Sequence, residues 1–194
     1  MSSPQDSEDR EATVLVLEDE EGLADLYTVW LSKEYSVRTA YTAAQAREQF
    51  DEVVDVALID RRLREETGDE FLSWVSQNHP ECRRAMVTAV NPDVDLIELP
   101  LDEYLIKPVD KDELLATVQR LEEQRNYDDE VRDLYALATK RAHLESALSN
   151  AECANNEQFT RLESEISDRK QTVIEANEDF PEIVHRLEGD LNGD

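Results

Sequence analysis

The sequence predicts an α/β fold, a doubly wound five-stranded parallel sheet, followed by an all-α helical hairpin. Two observations carry that expectation. From Val14 to about Leu121, short and nearly continuous apolar runs alternate with segments whose apolar residues recur every three or four positions, as strands buried on both faces by crossover helices require. From Glu122 to Phe180 the chain has neither Gly nor Pro and is built of helix formers. A chain of 194 residues with 40% hydrophobic content buries one domain of about 100 to 150 residues and leaves an appendage over.

The elements follow in order. Val14 to Leu17 within "ATVLVLEDEEG" is the first strand and "LADLYTVWLSKE" the first helix. "SVRTA" reads as the second strand and "TAAQAREQFDEV" as a helix with Thr42 as N-cap, its hydroxyl able to accept a first-turn N–H. "VALID" is the third strand, and "GDEFLSWVSQNHP" a helix stopped by Pro80. "RRAMVTA" and "DEYLIKP" are the fourth and fifth strands, the latter leading into the helix "DKDELLATVQRLEEQ". Between those two strands Pro92 and Pro100 argue against a full fourth helix from Val90 to Asp102.

The second half carries two amphipathic stripes. One runs through Leu134, Leu137, Arg141, Leu144, Leu148 and Ala151, the other through Phe159, Leu162, Ile166, Arg169, Val173, Ala176 and Phe180. "NAECANNE" separates them, with Asn155 or Asn156 as cap of the second helix, so an antiparallel hairpin is expected. Arg141 and Arg169 interrupt the stripes and are expected to snorkel to water rather than set register. A hairpin is too thin to bury both stripes alone. It should pack on the preceding domain, on a partner or on a second copy, and self-association is the expectation. The domain plan is a disordered tail at 1–11, the α/β domain at 12–123, the hairpin at 124–183 and an acidic tail at 184–194.

Charge narrows the partners. Acids outnumber bases 47 to 20, a formal charge of −27, which disfavours phosphate-rich or anionic-membrane partners. Self-repulsion on that scale is relieved by high salt, where the Debye length is about 3 Å near 1 M, so a salt-filled cytoplasm is the natural setting. Cys82 and Cys153 lie far apart, and His79, His143 and His185 have no ligand-like companions, so neither a disulfide framework nor a Cys/His metal site is indicated. The N-terminus is polar and acidic, and no apolar run approaches the roughly 18 to 20 residues of a membrane span. A soluble, cytoplasmic protein is expected.

Open α/β sheets bind ligands at the carboxyl ends of their strands. Here those ends carry Glu18 and Asp19, Asp60, Thr88 and Lys107. Taken singly, each has an ordinary reading: a capping acid, a β-forming Thr, a loop Lys. Together they suit one reaction. Three carboxylates offer hard oxygen ligands to Mg²⁺. A carboxylate beside that ion can attack phosphorus and become an acyl phosphate. Lys107 and Thr88 then serve as charge partner and hydroxyl donor to the phosphoryl oxygens.

In order and spacing, the pair "ED" at Glu18 and Asp19, Asp60 in "LIDRRL", Gly68 in "TGDEFL", Thr88 and Ala89 in "VTA", and "YLIKP" from Tyr104 to Pro108 resemble the receiver domain of two-component response regulators. The likeness covers about residues 12 to 122. It implies phosphoryl transfer from a histidine kinase to Asp60, with Mg²⁺ held by Asp19, Asp60 and the backbone carbonyl of Arg62, and with Glu18 assisting through water. It also implies a switch pair: Thr88 moves toward the phosphoryl group and the Tyr104 ring turns inward behind it. The chain departs from the family pattern in three places. Arg64 stands where a proline is common, the segment between Thr88 and Tyr104 is short, and Val90 is apolar where some members help water attack, which implies slow self-dephosphorylation. The segment from about 125 to 182, "LYALATKRAHLE" above all, resembles the HalX domain, a helical output module that follows receivers in halophilic archaea.

Three functions compete. A phosphorylation-controlled switch whose hairpin binds itself or another protein fits best. A transcription regulator touching DNA through the hairpin is the alternative; it is disfavoured because residues 124 to 194 hold 17 acids against 8 bases. A phosphatase lacks a further general acid or substrate pocket, so the chain is read as a phosphoacceptor rather than an enzyme.

Overall fold

A computed structural model describes residues 11–176. The strands are β1 (Thr13–Leu17), β2 (Ser36–Ala40), β3 (Val54–Ile59), β4 (Arg83–Thr88) and β5 (Glu103–Ile106). They form one parallel sheet in the order β2-β1-β3-β4-β5. The order reverses at β1, so a crevice opens between the carboxyl ends of β1 and β3, the position where such sheets place ligands. Helices α1 (Glu21–Leu31), α2 (Ala43–Gln49), α3 (Gly68–Asn78) and α4 (Lys111–Glu123) connect and cover the strands.

Side-chain caps start three of these four helices, α2, α3 and α4, where the chain leaves the sheet. Thr42 caps α2 by accepting from Gln45 N. Thr67 and Glu70 form a reciprocal capping box on α3, and Asp110 accepts from Glu113 N to start α4. Such caps satisfy N–H groups that have no partner within the helix.

β1 and β3 are buried along their whole length, as a central parallel strand should be. β2 departs from that expectation. It is an edge strand, and four of its five residues are partly or fully exposed. One face of the sheet packs Tyr27 and Leu31 of α1 with Leu114, Val118 and Leu121 of α4. The other packs Ala43 and Ala46 of α2 with Phe71, Leu72 and Val75 of α3.

No α-helix forms between Val90 and Asp102. The segment makes only a 3-10 turn at Val94–Glu98, flanked by Pro92 and Pro100. Each proline fixes its own φ, lacks an N–H and disfavours the α region for the residue before it, so there is no room for a full helix.

The vacant flank of the sheet is covered by the second half of the chain. α5 (Asp129–Ala147) and α7 (Glu157–Ala176) run antiparallel, joined by the short α6 (Asn150–Ala154). Asp133, early in α5, meets Arg169, late in α7, at 2.7 Å. Asn156 caps α7 by accepting from Gln158 N and Phe159 N. Leu134, Leu144, Phe159, Leu162, Ile166 and Val173 are buried, and they join one continuous apolar cluster with Leu96, Leu101 and Tyr104 of the α/β domain.

The hairpin therefore finds its cover within the same chain, on β5 and the 3-10 turn. Lys140 donates to the Ile97 carbonyl at 3.0 Å, and Gln158 to Glu98 at 3.2 Å. Packing on the preceding domain is one of the three covers the sequence allowed, and it is the one the hairpin takes within this chain. Two smaller expectations change. Ala151 is exposed, and Cys153 is the buried residue of α6. Arg169 does not simply reach for water; it pairs with Asp133 across the hairpin. Phe180 and the two chain ends lie outside the described residues.

Candidate functional site

Glu18 and Asp19 leave the end of β1, and Asp60 the end of β3, at the crevice between these two strands. Each of the three contributes a carboxylate oxygen to a group lying within 4.8 Å of one another. Glu18 and Asp60 are buried, and Asp19 is partly open. Four preceding apolar residues, Val56 to Ile59, anchor Asp60 to a strand buried along its whole length, which places its charge at the rim of the sheet.

Lys107 comes from the loop after β5 and reaches across the rim. Its ammonium donates to Glu18 Oε2 at 2.5 Å and to Asp60 Oδ2 at 2.6 Å. Burial lowers the affinity of Lys107 for its proton, but bonds to Asp60 and Glu18 outweigh that, and its pKa lies above the ordinary value. Burial pushes the Glu18 carboxyl up, against the pull of Lys107. Two buried acids thus share one cation, an arrangement with charge to spare for a second.

The loop after β3 holds the other side of Asp60. Arg62 N donates to Asp60 Oδ1 at 3.0 Å, which brings the backbone of Arg62 against the carboxylate. Gly68 closes this loop: its N–H donates to the Arg61 carbonyl at 2.9 Å. A Cβ at Gly68 would lie 2.2 Å from the Asp60 carbonyl oxygen and 2.7 Å from Arg61 Cα. Only glycine fits there, for reasons of contact rather than backbone angle.

The arginines around Asp60 divide their work. Arg64, mostly exposed, places Nε 2.9 Å from Asp19 Oδ2. Arg61 turns away from the acids: it pairs with Asp69 at 3.1 Å and lies beside the Tyr104 hydroxyl. Of these two arginines, only Arg64 softens the field of the three acids.

Thr88 ends β4 and is fully buried. Its hydroxyl oxygen accepts from Val90 N at 3.2 Å, and Tyr104 O–H donates to the Val90 carbonyl at 2.7 Å. Thr88 and Tyr104 therefore grip the same residue from two sides. The Tyr104 ring faces inward with no exposed surface, and burial raises its hydroxyl pKa. Lys107 N donates to the Thr88 carbonyl at 2.8 Å, which ties the ends of β4 and β5 together.

Glu18, Asp19, Asp60 and Lys107 are thus gathered at one rim, with Arg62 bound to Asp60 through its N–H; Thr88 and Tyr104 form a separate linked pair behind it. The donor set suits Mg²⁺: three hard carboxylates, one of them open to water, with fewer cations than anions in contact. Sequence reasoning missed a polar junction next to Tyr104, in which Glu103 meets His143 and Arg120. His143 gave no signal, because nothing in a lone histidine on a helix indicates which strand it will meet.

A family model described as the response regulator receiver domain matches residues 14–119, and one described as the HalX domain matches residues 112–189. A Haloferax volcanii protein named "Putative transcriptional regulator" is 42% identical over 137 residues, which cover 70% of this chain and 24% of that protein. The alginate biosynthesis transcriptional regulatory protein AlgB of Pseudomonas putida is 36% identical over 128 residues, 63% of this chain and 28% of that one. The chain spans about a quarter of the length of these curated relatives. Among solved structures, a CheY-like receiver domain protein from Methanospirillum hungatei superposes with a TM-score of 0.57 at 24% identity, over 60% of this chain and 97% of that one. The response regulator protein TrrA of Thermotoga maritima, solved with Mg²⁺ and BeF, gives 0.52 at 24% identity, over 57% and 98%. Sheet order, the residues at its rim and the matched ranges agree: this chain belongs to the response regulator receiver domain family and carries a HalX domain after the receiver.

Proposed function

We propose that this chain is a phosphoacceptor switch in which Asp60 takes a phosphoryl group from a phosphohistidine of a cognate histidine kinase. The carrying observation is the placement of Asp60 between the Lys107 ammonium and the two further acids Glu18 and Asp19. In the transfer, an Asp60 carboxylate oxygen forms a bond to phosphorus while the phosphorus–nitrogen bond breaks. The bonding electron pair stays on the imidazole, and the product is an acyl phosphate. Glu18, Asp19, Asp60 and the Arg62 carbonyl would hold Mg²⁺, which supplies charge stabilisation to the transferring group. Lys107 neutralises the developing charge, and Thr88 offers its hydroxyl to a phosphoryl oxygen.

Thr88 and Tyr104 are the switch pair in this reading. Thr88 gives up its bond to Val90 N when it moves toward the phosphoryl group, and the inward Tyr104 ring fills the space behind it. Val90 is apolar and half-buried, and it offers no side-chain group to guide water, so self-dephosphorylation should be slow. A phosphoryl lifetime of seconds would contradict that part. The domain boundary falls near residue 123, where α4 gives way to a 3-10 turn. Labelling by acetyl phosphate in Mg²⁺ tests the whole: wild type takes up one phosphoryl group and Asp60→Asn takes up none. Undiminished labelling of the variant would refute the assignment.

Transcription control downstream of such a switch is part of this reading, supported by the names of the relatives. Among the described residues no helix is long and apolar enough to cross a membrane. A DNA-contacting role for the hairpin is the second reading. The exposed side of α7 carries Glu157, Glu163, Glu165 and Asp168 among its few bases, which opposes approach to phosphates. A phosphorylation-dependent mobility shift of DNA at molar salt would favour that reading over protein contact.

A further inference from the structure

β5 is the second edge strand of the sheet; α5 packs on it, and Arg120 of α4 reaches its first residue. Glu103, the first residue of β5, is buried and bridges the two helices. Its Oε1 lies 3.1 Å from His143 Nε2 of α5, and its Oε2 accepts from Arg120 Nη2 of α4 at 3.2 Å. Burial favours the neutral acid, but His143 and Arg120 outweigh it and hold the carboxyl below its ordinary value. An ionised Glu103 can only accept, so His143 Nε2 carries the proton in this contact.

The next residue is Tyr104. Its ring centroid lies 5.8 Å from that of His143, at 60° between planes, within the range of a favourable edge-to-face contact. His143 thus touches the switch aromatic with its ring and the neighbouring carboxylate with its nitrogen. With α5 seated, the Tyr104 ring is wholly covered, and its way out of the core is blocked by the helix that carries His143. The contacts run unbroken from Thr88 through Val90 and Tyr104 to His143. The junction also borders a cavity of about 320 Å³ lined by Tyr104, Tyr135, His143 and Ser146 among others.

We infer that His143 is a positioning residue through which the seated output helix holds Tyr104 inward, so that phosphorylation of Asp60 and docking of α5 on the receiver reinforce each other. This rests on the reading of Asp60 as phosphoacceptor and of Thr88 with Tyr104 as the switch pair. Its consequence is directional: the phosphoryl group tightens the hairpin on the receiver instead of releasing it. Coupling of this kind is reciprocal, so whatever factor the phosphoryl group adds to docking, docking adds to phosphoryl-state affinity.

The test uses the full chain in molar KCl with Mg²⁺ and beryllofluoride as the phosphoryl mimic. Bound fluoride is followed by fluorine NMR and α5 by amide hydrogen exchange. In wild type, beryllofluoride should slow exchange across residues 135–147 by roughly fivefold or more, the lower range of typical couplings. His143→Ala should weaken beryllofluoride binding by a similar factor, and His143→Phe, which keeps a ring against Tyr104, should restore most of it. The wild-type measurement needs no variant and stands if a variant folds poorly. If beryllofluoride binds but α5 exchange is unchanged or faster, or if His143→Ala binds as tightly as wild type, the inference is wrong and the phosphoacceptor reading survives. If wild type does not bind beryllofluoride at all, the phosphoacceptor reading falls and takes the inference with it.

Discussion

At the scale of single residues, the rim works through a shortage of positive charge. Glu18 and Asp60 are both buried and both depend on one ammonium. Lys107→Met would leave two adjacent buried carboxylates without that partner, and we expect a loss of roughly 3–5 kcal/mol, read by urea unfolding at fixed salt, with Mg²⁺ recovering part of it. A loss that Mg²⁺ leaves untouched would argue against a cation at these three acids. Gly68→Ala drives a methyl group into the Asp60 and Arg61 backbone, and should cost about 1–3 kcal/mol while slowing acetyl phosphate uptake. These rim residues were legible in the sequence because each follows an apolar run that ends at the sheet edge. The role of Arg61 was not, since three arginines in four positions look alike until the loop bends and only Arg64 faces Asp19.

At the scale of elements, the 3-10 turn at Val94–Glu98 and the hairpin explain each other. Two prolines prevent a covering helix, and α5 with α7 supplies the missing cover. Leu134 is buried in that contact, and Leu134→Ala should cost roughly 2–5 kcal/mol in thermal or urea unfolding. The Glu103 junction should respond to acid. Its carboxyl is held below the ordinary value of 4.5, so its contribution is present above pH 4.5 and is lost as pH falls through the lower, folded value. Protection factors of α5 amides, taken against the intrinsic exchange rate at each pH, should therefore fall below pH 4.5 in wild type, and fall less steeply in Glu103→Gln. The two helices were readable from their stripes, and the cap was readable as Asn155 or Asn156, of which Asn156 serves. Their docking site was not, because a stripe tells which face is buried and nothing of what buries it.

At the scale of the whole molecule, the apolar cluster that starts under α2 and α3 continues without a break into the hairpin. The receiver and HalX matches even overlap, at residues 112–119 within α4. Receiver and hairpin should accordingly unfold in one transition rather than two, checked by agreement between tryptophan fluorescence, from Trp30 and Trp74 in the receiver, and helical circular dichroism. A net charge of −27 makes that transition salt-dependent, and lowering KCl from molar to millimolar should reduce stability at constant pH. The α/β class and the five parallel strands were legible from alternation alone; the strand order was not. The dependence of one half on the other was hidden, because it rests on contacts between residues far apart in the chain, such as Lys140 with Ile97.

The central claim is that one carboxylate among three receives the phosphoryl group. Borohydride reduction of the chain after incubation with acetyl phosphate and Mg²⁺, followed by peptide mass mapping, addresses it directly, because reduction marks the acylated residue permanently. The account predicts a mark at Asp60 that requires Mg²⁺ and is absent from Glu18 and Asp19. A mark on either of those acids, or none anywhere while phosphate is still taken up, would contradict it.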